Sequence, residues 1–340
     1  MGRVLVFGAG AIGQWLGAAL AQAGEEVTLV TRAAACKAIN ERGLRCGLKT
    51  VRLKAFEEAP PGSYDLVLLT VKAFDVADAL DILGSRLSFQ NVLTIQNGIG
   101  TDELVRSRFL SANLIVGSVT CSVASPEPGV LHPGLSGGLG LAPYSDAPTA
   151  PLQKLFEKGG LKVQACPDYR SMKWSKLCLN VVGNALGALL DCTPTELFGD
   201  RKLYRFEVRS LSEVRKVIRA QNLKIIDLPD YPVKKFSEVM FWLPSRLSFP
   251  LLSEKMSRGR GDKPPSLLLE LRRGRAKTEI DYLNGAVVEY GKKLGIPTPV
   301  NENLVRAYHE AMADPAAWWN RWRGKSHSLV AELLHERDLV

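Results

Sequence analysis

Short, unbroken apolar runs alternate with amphipathic stretches through the first half of the chain. Residues 3–7, Arg-Val-Leu-Val-Phe, are apolar and β-branched enough to read as a strand. The glycine cluster Gly8-Ala9-Gly10-Ala11-Ile12-Gly13 follows. Ile12, Leu16, Leu20 and Ala23 then fall on one helical face, and Gly24 supplies a stop. Residues 25–32 return to strand character, so the opening is a β-turn-α-β unit. The run at 64–71 is almost continuously apolar, as a strand covered on both faces requires. Residues 91–95 and 114–123 predict further strands. Shorter runs at 129–132 and 138–141, set off by Pro/Gly turns, predict an antiparallel edge. A helix at 150–159 and a strand at 161–164 complete this half.

The pattern changes near Pro167-Asp168. A helix follows Ser171 and carries the sequence SMKWSKLCLNVVGNALGALL; helical patterns recur at 201–222, 233–242, 278–294, 301–313 and 328–337, without β patterning. The expectation is an α/β Rossmann domain over residues 1–167 and an all-α domain over 168–340, with 314–340 as a C-terminal extension.

Composition narrows the class. The chain has 340 residues, 46% hydrophobic and 23% charged, which suits a folded protein of about two domains. Apolar runs all fall well short of the ~20 residues of a membrane span, and no leader pattern precedes the first strand. Six cysteines without a CxxC pair read as reduced thiols, so a cytoplasmic location is expected. The four histidines have no ligand spacing, and no metal site is expected. A net charge of +9, with basic runs at 258–263 and 271–277, admits nucleic acid, a membrane surface or small anions as partners and does not choose among them.

The glycine cluster supplies chemistry. Between a strand and a helix, Gly8 permits the tight turn, Gly10 lets the backbone approach a pyrophosphate, and Gly13 allows close helix–strand packing. The N–H groups at the helix start, at Ala11, Ile12 and Gly13, suit an anion. The second strand ends in Thr31-Arg32 with no acid to accept a ribose 2′-hydroxyl. Arg32 suits a 2′-phosphate, with Thr31 adding a hydroxyl, and NADP(H) is therefore expected over NAD(H). Lys72 follows the third long strand; Asn97 and Gly98 follow the fourth. All stand at carboxyl ends of parallel strands, where such sheets bind ligands.

In the second half, helical spacing places Lys176, Asn180 and Asn184 within ~80° of one another, surrounded by Leu177, Leu179, Val181, Val182, Ala185 and Leu186. Polar groups there are costly unless they meet partners. Lys173 lies on roughly the same side, so a solvent-facing edge is the alternative reading. Glu279 opens the pattern at 278–294, where a carboxylate also favours the helix dipole.

These blocks together resemble the ketopantoate reductases (2-dehydropantoate 2-reductases). The resemblance runs from about residue 3 to 303 and rests on GAGAIG, Val71-Lys72 and Gln96-Asn97-Gly98-Ile99-Gly100. It continues through Trp174-Ser175-Lys176-Leu177 with Asn180 and Asn184, then Thr278-Glu279-Ile280-Asp281 and Leu283-Asn284-Gly285. It implies a Rossmann domain, a helical domain like the C-terminal one of 6-phosphogluconate dehydrogenase, and NADPH-dependent reduction of a 2-oxo acid. Lys176 would be the general acid, its reference pKa of ~10.4 keeping it charged at neutral pH. Glu279 would position the substrate, with Asn180, Asn184 and Ser266 holding its carboxylate and hydroxyl. Lys72 and Asn97 would flank the nicotinamide ribose, with Arg32 at the adenosine phosphate. The chain departs from the family's paired serines and Met-Leu-Gln-Asp by showing Pro265-Ser266-Leu267-Leu268-Leu269-Glu270, and it has Ala185 where a proline is usual. Both departures touch the substrate side. A reductase of another 2-oxo acid or ketone and a non-catalytic NADP(H)-sensing module are the competing readings.

The tail interleaves Trp318, Trp319 and Trp322 with Arg321, Arg323 and Lys325, a composition that also suits nucleic-acid stacking. The favoured expectation is a helical extension packed on its own domain or on a second copy, which makes a homodimer one candidate assembly. The partner expected is a small 2-oxo acid, not nucleic acid or membrane.

Overall fold

The computed structural model describes residues 2–260 and 264–334. The basic run at 258–263 and the end of the helix expected at 328–337 lie partly outside the described residues, and His335 lies outside them. The chain divides into two compact units: residues up to Lys173 together with Asp227–Tyr231, and Trp174–Ile226 together with the chain from Pro232 onward.

The first unit runs β1 (Arg3–Phe7), α1 (Ala11–Gln22), β2 (Glu26–Val30), α2 (Ala33–Arg42), β3 (Leu44–Cys46), β4 (Lys49–Val51), β5 (Lys54–Phe56), β6 (Gly62–Leu69), α3 (Val76–Arg86), β7 (Leu87–Thr94), α4 (Thr101–Arg108), β8 (Asn113–Val119), β9 (Val123–Ala124), β10 (Val130–Pro133), β11 (Leu139–Pro143), α5 (Ala150–Lys158) and β12 (Val163–Ala165). Eight strands form one sheet in the order β12-β11-β8-β7-β6-β1-β2-β5. From β5 to β8 every pairing is parallel, while β11 runs antiparallel to β8 and carries β12 at the edge. Val4, Leu5 and Val6 of β1 and Leu66, Val67 and Leu68 of β6 are all wholly buried, which is why these strands read as apolar runs without alternation. The strand order reverses direction at β1, between β2 and β6, and open parallel sheets commonly bind ligands beside such a reversal, at the carboxyl ends of the strands.

The antiparallel edge expected from the sequence is present, but only one of its two runs builds it. The run at 129–132 instead becomes β10, which joins β3, β4 and β9 in a separate four-stranded sheet. Strands β3, β4 and β5 have three residues each, too few for a periodic signal.

The second unit is helical. Helix α6 (Tyr169–Val181) starts in the first unit and continues into the second, followed by α7 (Ala185–Leu189), α8 (Pro194–Gly199), α9 (Arg201–Ala220), α10 (Val233–Trp242), α11 (Ser245–Arg260), α12 (Ser266–Arg272), α13 (Asn284–Leu294), α14 (Pro299–Ala313), α15 (Pro315–Trp322) and α16 (Ser326–Leu333). Helix α9 buries Leu203, Phe206, Leu211, Val214, Val217 and Ile218 along one stripe, and Asp200 caps its start by accepting from Lys202 N and Leu203 N at 2.7 and 3.1 Å.

Two expected helices are broken. The helix after Ser171 stops at Val181, because Gly183 takes a left-handed φ of 70° and α7 starts afresh behind Asn184. The pattern at 278–294 splits into a 3₁₀ turn at Ile280–Tyr282 and α13, with the break at Leu283. Helices α8, α11, α12 and α15 are not anticipated by the sequence pattern; α11 carries Pro250 inside it, and α8 and α12 are too short for periodicity.

The tail packs within its own unit. Trp318 and Trp322 are buried, and the Trp318 and Trp319 indoles donate to Leu189 O and Ala188 O, each at 3.0 Å, which gives buried carbonyls at the end of α7 side-chain partners. Among the described residues no helix is long and apolar enough to cross a membrane.

Candidate active site

The glycine turn joins β1 to α1 at the strand-order reversal. Gly8 has φ 83°, and a side chain there would meet the Val71 backbone nitrogen at 2.9 Å. Gly13 sits against the sheet, where an added Cβ would lie 3.1 Å from Val6 Cγ1. Gly10 differs from both: it is exposed, and an added Cβ would have only the Gly8 carbonyl near it, at 4.0 Å. Gly10 is the N-cap of α1; no side chain caps this helix, and its first turn contains no acid. The N–H groups at its start thus keep the positive end of a twelve-residue helix open beside a bare backbone. This cradle fits a pyrophosphate group.

At the end of β2, Thr31 is partly buried and Arg32 is exposed as the N-cap of α2, whose first turn again lacks an acid. The Thr31 hydroxyl donates to Ala9 O at 2.8 Å, and Ala9 N donates to Val30 O at 2.7 Å. Thr31 therefore fastens the glycine turn, and its proton is committed there. The charge suited to a 2′-phosphate is that of Arg32.

Lys72 follows β6 as the N-cap of a 3₁₀ turn at Ala73–Asp75, and Asn97 stands exposed after β7 with Gly98 at φ 84°. Gln96 ties these two strand ends together, since its Nε2 donates to Leu69 O at 2.8 Å and to Val71 O at 3.2 Å. From the other side, Lys173 Nζ donates to Gln96 O at 2.5 Å and lies 3.2 Å from Asp102 Oδ2. Asp102 in turn accepts from Thr94 Oγ1 at 2.5 Å. The Lys173 and Asp102 side chains are 4% and 2% exposed. The solvent-facing alternative for this part of α6 fails at Lys173.

In the second unit, Lys176 and Asn180 occupy successive turns of α6 and are both partly exposed, while Leu177, Cys178 and Val181 beside them are buried. Trp174 packs edge-on against Tyr290 at 5.3 Å and anchors this part of the helix. Asn184 does not continue the stripe, because the helix has ended. Its buried amide lies across the start of α12 instead, with Nδ2 donating to Ser266 Oγ at 3.3 Å and Oδ1 accepting from Leu267 N at 3.2 Å. Tyr308 also fastens this point, its hydroxyl donating to Leu267 O at 2.8 Å. Ser266 is exposed.

Glu279 is 2% exposed and caps the 3₁₀ turn instead of opening a long helix. Its position is set by Glu270, whose Oε2 accepts from Thr278 Oγ1 at 3.0 Å and from Glu279 N at 3.1 Å. Thr278 Oγ1 then accepts from Ile280 N at 3.2 Å. Asn284 is structural: fully buried, it donates to Asn301 Oδ1 at 2.9 Å.

Sequence reasoning gives no role to Lys173, Asp102 or Glu270. Glu270 stands at the position where the resemblance carries an aspartate, which is a signal; Lys173 and Asp102 give none, because their partnership spans distant segments. Burial pushes the thiols of Cys166, Cys178 and Cys192 up, to about 11, about 12 and about 12, so they are poor nucleophiles at neutral pH. Among the described residues, no group of three His, Cys, Asp or Glu side chains is arranged to hold a metal.

Two family models match. "Ketopantoate reductase PanE/ApbA" matches residues 4–145, and its C-terminal counterpart matches residues 168–312. The 2-dehydropantoate 2-reductase of Pyrococcus horikoshii is 29% identical over 305 residues, covering 88% of this chain and 94% of the relative. That of Halobacterium salinarum is 28% identical over 330 residues, covering 92% of this chain and 99% of the relative. Among solved structures, a PanE/ApbA family ketopantoate reductase from Ralstonia eutropha JMP134 superposes with a TM-score of 0.75 at 28% identity, covering 92% of this chain and 98% of that one. D-mandelate dehydrogenase, solved with NADH and anilino(oxo)acetate, shares the fold with a TM-score of 0.75 at 23% identity, covering 92% of this chain and 98% of that one.

Proposed function

This chain belongs to the ketopantoate reductase family, and from that premise we propose that it reduces a 2-oxo acid to the 2-hydroxy acid with NADPH, ketopantoate being the leading substrate. The observation that carries the reading is the pair Lys176 and Asn180: two partly exposed polar side chains, one turn apart on α6, beside the buried Leu177, Cys178 and Val181.

The N–H groups of Ala11, Ile12 and Gly13, beside the bare backbone of Gly10, would hold the pyrophosphate of the cofactor. Arg32 pairs with the 2′-phosphate, and the absence of an acid at the end of β2 removes the usual acceptor for an unphosphorylated ribose. Lys72 and Asn97 hold the nicotinamide ribose. When bound, NADPH supplies the hydride that reduces the substrate's C2.

The remaining chemistry belongs to the chain. Lys176 Nζ gives a proton to the carbonyl oxygen, so hydride on carbon and proton on oxygen together complete the alcohol. Its positive charge also stabilises negative charge developing on that oxygen. Asn180 and Ser266 hydrogen-bond the substrate's carboxylate and hydroxyl, Asn184 holds Ser266 in place, and Glu279 orients the substrate from the turn that Glu270 fixes.

The test is oxidation of NADPH, followed by its near-ultraviolet absorbance, against a panel of 2-oxo acids with NADH in parallel. Preference for ketopantoate in kcat/KM with NADPH is the expected result. Turnover of only another carbonyl would overturn the substrate, and binding without turnover would overturn the enzyme reading in favour of a sensor.

A further inference from the structure

Lys173 and Lys176 stand one turn apart on α6, yet the proposed reaction uses only the second. Lys173 is almost wholly buried, and a buried ammonium is costly unless its charge and hydrogen bonds are met. Here Asp102 meets the charge at 3.2 Å, and the proton it donates at 2.5 Å goes to the carbonyl of Gln96, the residue before Asn97.

That carbonyl matters because of its neighbour. A trans peptide is planar, with its C=O and N–H pointing opposite ways. Drawing Gln96 O toward Lys173 therefore turns the Asn97 N–H to the other side and fixes the plane from which the Asn97 side chain departs. The chain turns immediately beyond Asn97, where Gly98 sits at φ 84°. The Gln96 side chain grips Leu69 O and Val71 O, immediately before Lys72. One connected set, Thr94–Asp102–Lys173–Gln96, thus locks the ends of β6 and β7 that carry both Lys72 and Asn97.

We propose that Lys173 is a positioning residue for the nicotinamide half of the cofactor, acting through the Gln96 carbonyl on Asn97 without touching the ligand. The inference rests on the proposed placement of Asn97 at the nicotinamide ribose.

The experiment measures the Kd of NADPH and of 2′,5′-ADP, which carries the adenosine phosphates and lacks the nicotinamide half, on the full chain and on two variants. K173M/D102N removes both charges together, so neither is left buried alone. T94V loosens Asp102 without changing charge. The parent is expected to bind both ligands. K173M/D102N should weaken NADPH by about tenfold, the scale of one hydrogen bond to a charged group, with 2′,5′-ADP unchanged. T94V should show the same selective loss in smaller measure, and it decides the matter if the double variant fails to fold. NADPH affinity equal to the parent's in the variants, or equal losses for both ligands, would make the network purely structural and overturn the proposal. A parent that binds neither ligand overturns the cofactor reading itself, and is seen before any variant is compared.

Discussion

In the proposed reaction the turn after β1 and the polar groups around α6 and α12 would meet the same demand, fixing an anionic ligand, by different means. At the turn the backbone makes the site: Gly10 is bare, no side chain caps α1, and the helix N-terminus supplies the donors. In the second unit the candidate groups are side chains that stay in place because other side chains hold them, Asn184 on Ser266 and Glu270 on the Glu279 turn. A backbone site tolerates no added atoms but needs few residue identities. A side-chain site depends on every member of its network, and its specificity can drift residue by residue. The departures from the family pattern, at Ala185 and Pro265, fall in the second kind of site, consistent with this contrast.

Removing the acting side chain should have the largest effect. Lys176→Ala is expected to lower kcat by roughly 10²–10⁴-fold, the usual worth of a general acid, with the Kd of NADPH nearly unchanged. Steady-state kinetics and equilibrium binding check this together; near-normal turnover would remove Lys176 from the chemistry. Arg32→Ala tests the other region. NADPH should bind about ten- to a hundredfold more weakly while NADH is little affected, because only the former carries the 2′-phosphate. Equal losses for both would mean that the phosphate is read elsewhere. Asn184→Ala sharpens the contrast at the smallest scale. It removes the acceptor for Leu267 N and the partner of Ser266, so the melting temperature should fall by the equivalent of about 1 kcal/mol. The KM for the 2-oxo acid should rise several-fold with NADPH binding untouched. A rise in the NADPH Kd alongside would show that this network is not confined to the substrate side.

Much of this was readable before any coordinates. The apolar runs of β1 and β6 reveal their burial because a parallel strand covered on both faces has no polar alternation. Lys176 and Asn180 stand out because they recur at helical spacing among Leu177, Leu179, Val181 and Val182. Asn184 was readable as a residue but not as a position: the i, i+4 step holds only while the helix lasts, and Gly183 ends it. The sequence leaves the surroundings of Lys173 open, with a solvent-facing edge as the alternative reading, because its partners lie 77 and 71 positions away in the chain, at Gln96 and Asp102. The tail tryptophans could be seen, but not the α7 carbonyls they close.

The division follows from the range of the forces involved. Hydrophobic periodicity, glycine conformation and helix-end electrostatics act within a few residues, so the sequence by itself determined the β-turn-α-β unit, the glycine turn at Gly8–Gly13 and the mostly helical second half. Burial of a charge and the partner of a hydrogen bond depend on which distant segments come together. Tertiary structure alone therefore decided that Lys173 is locked to the Asn97 loop, that Asn184 fastens α12, and that Glu270 sets the turn bearing Glu279.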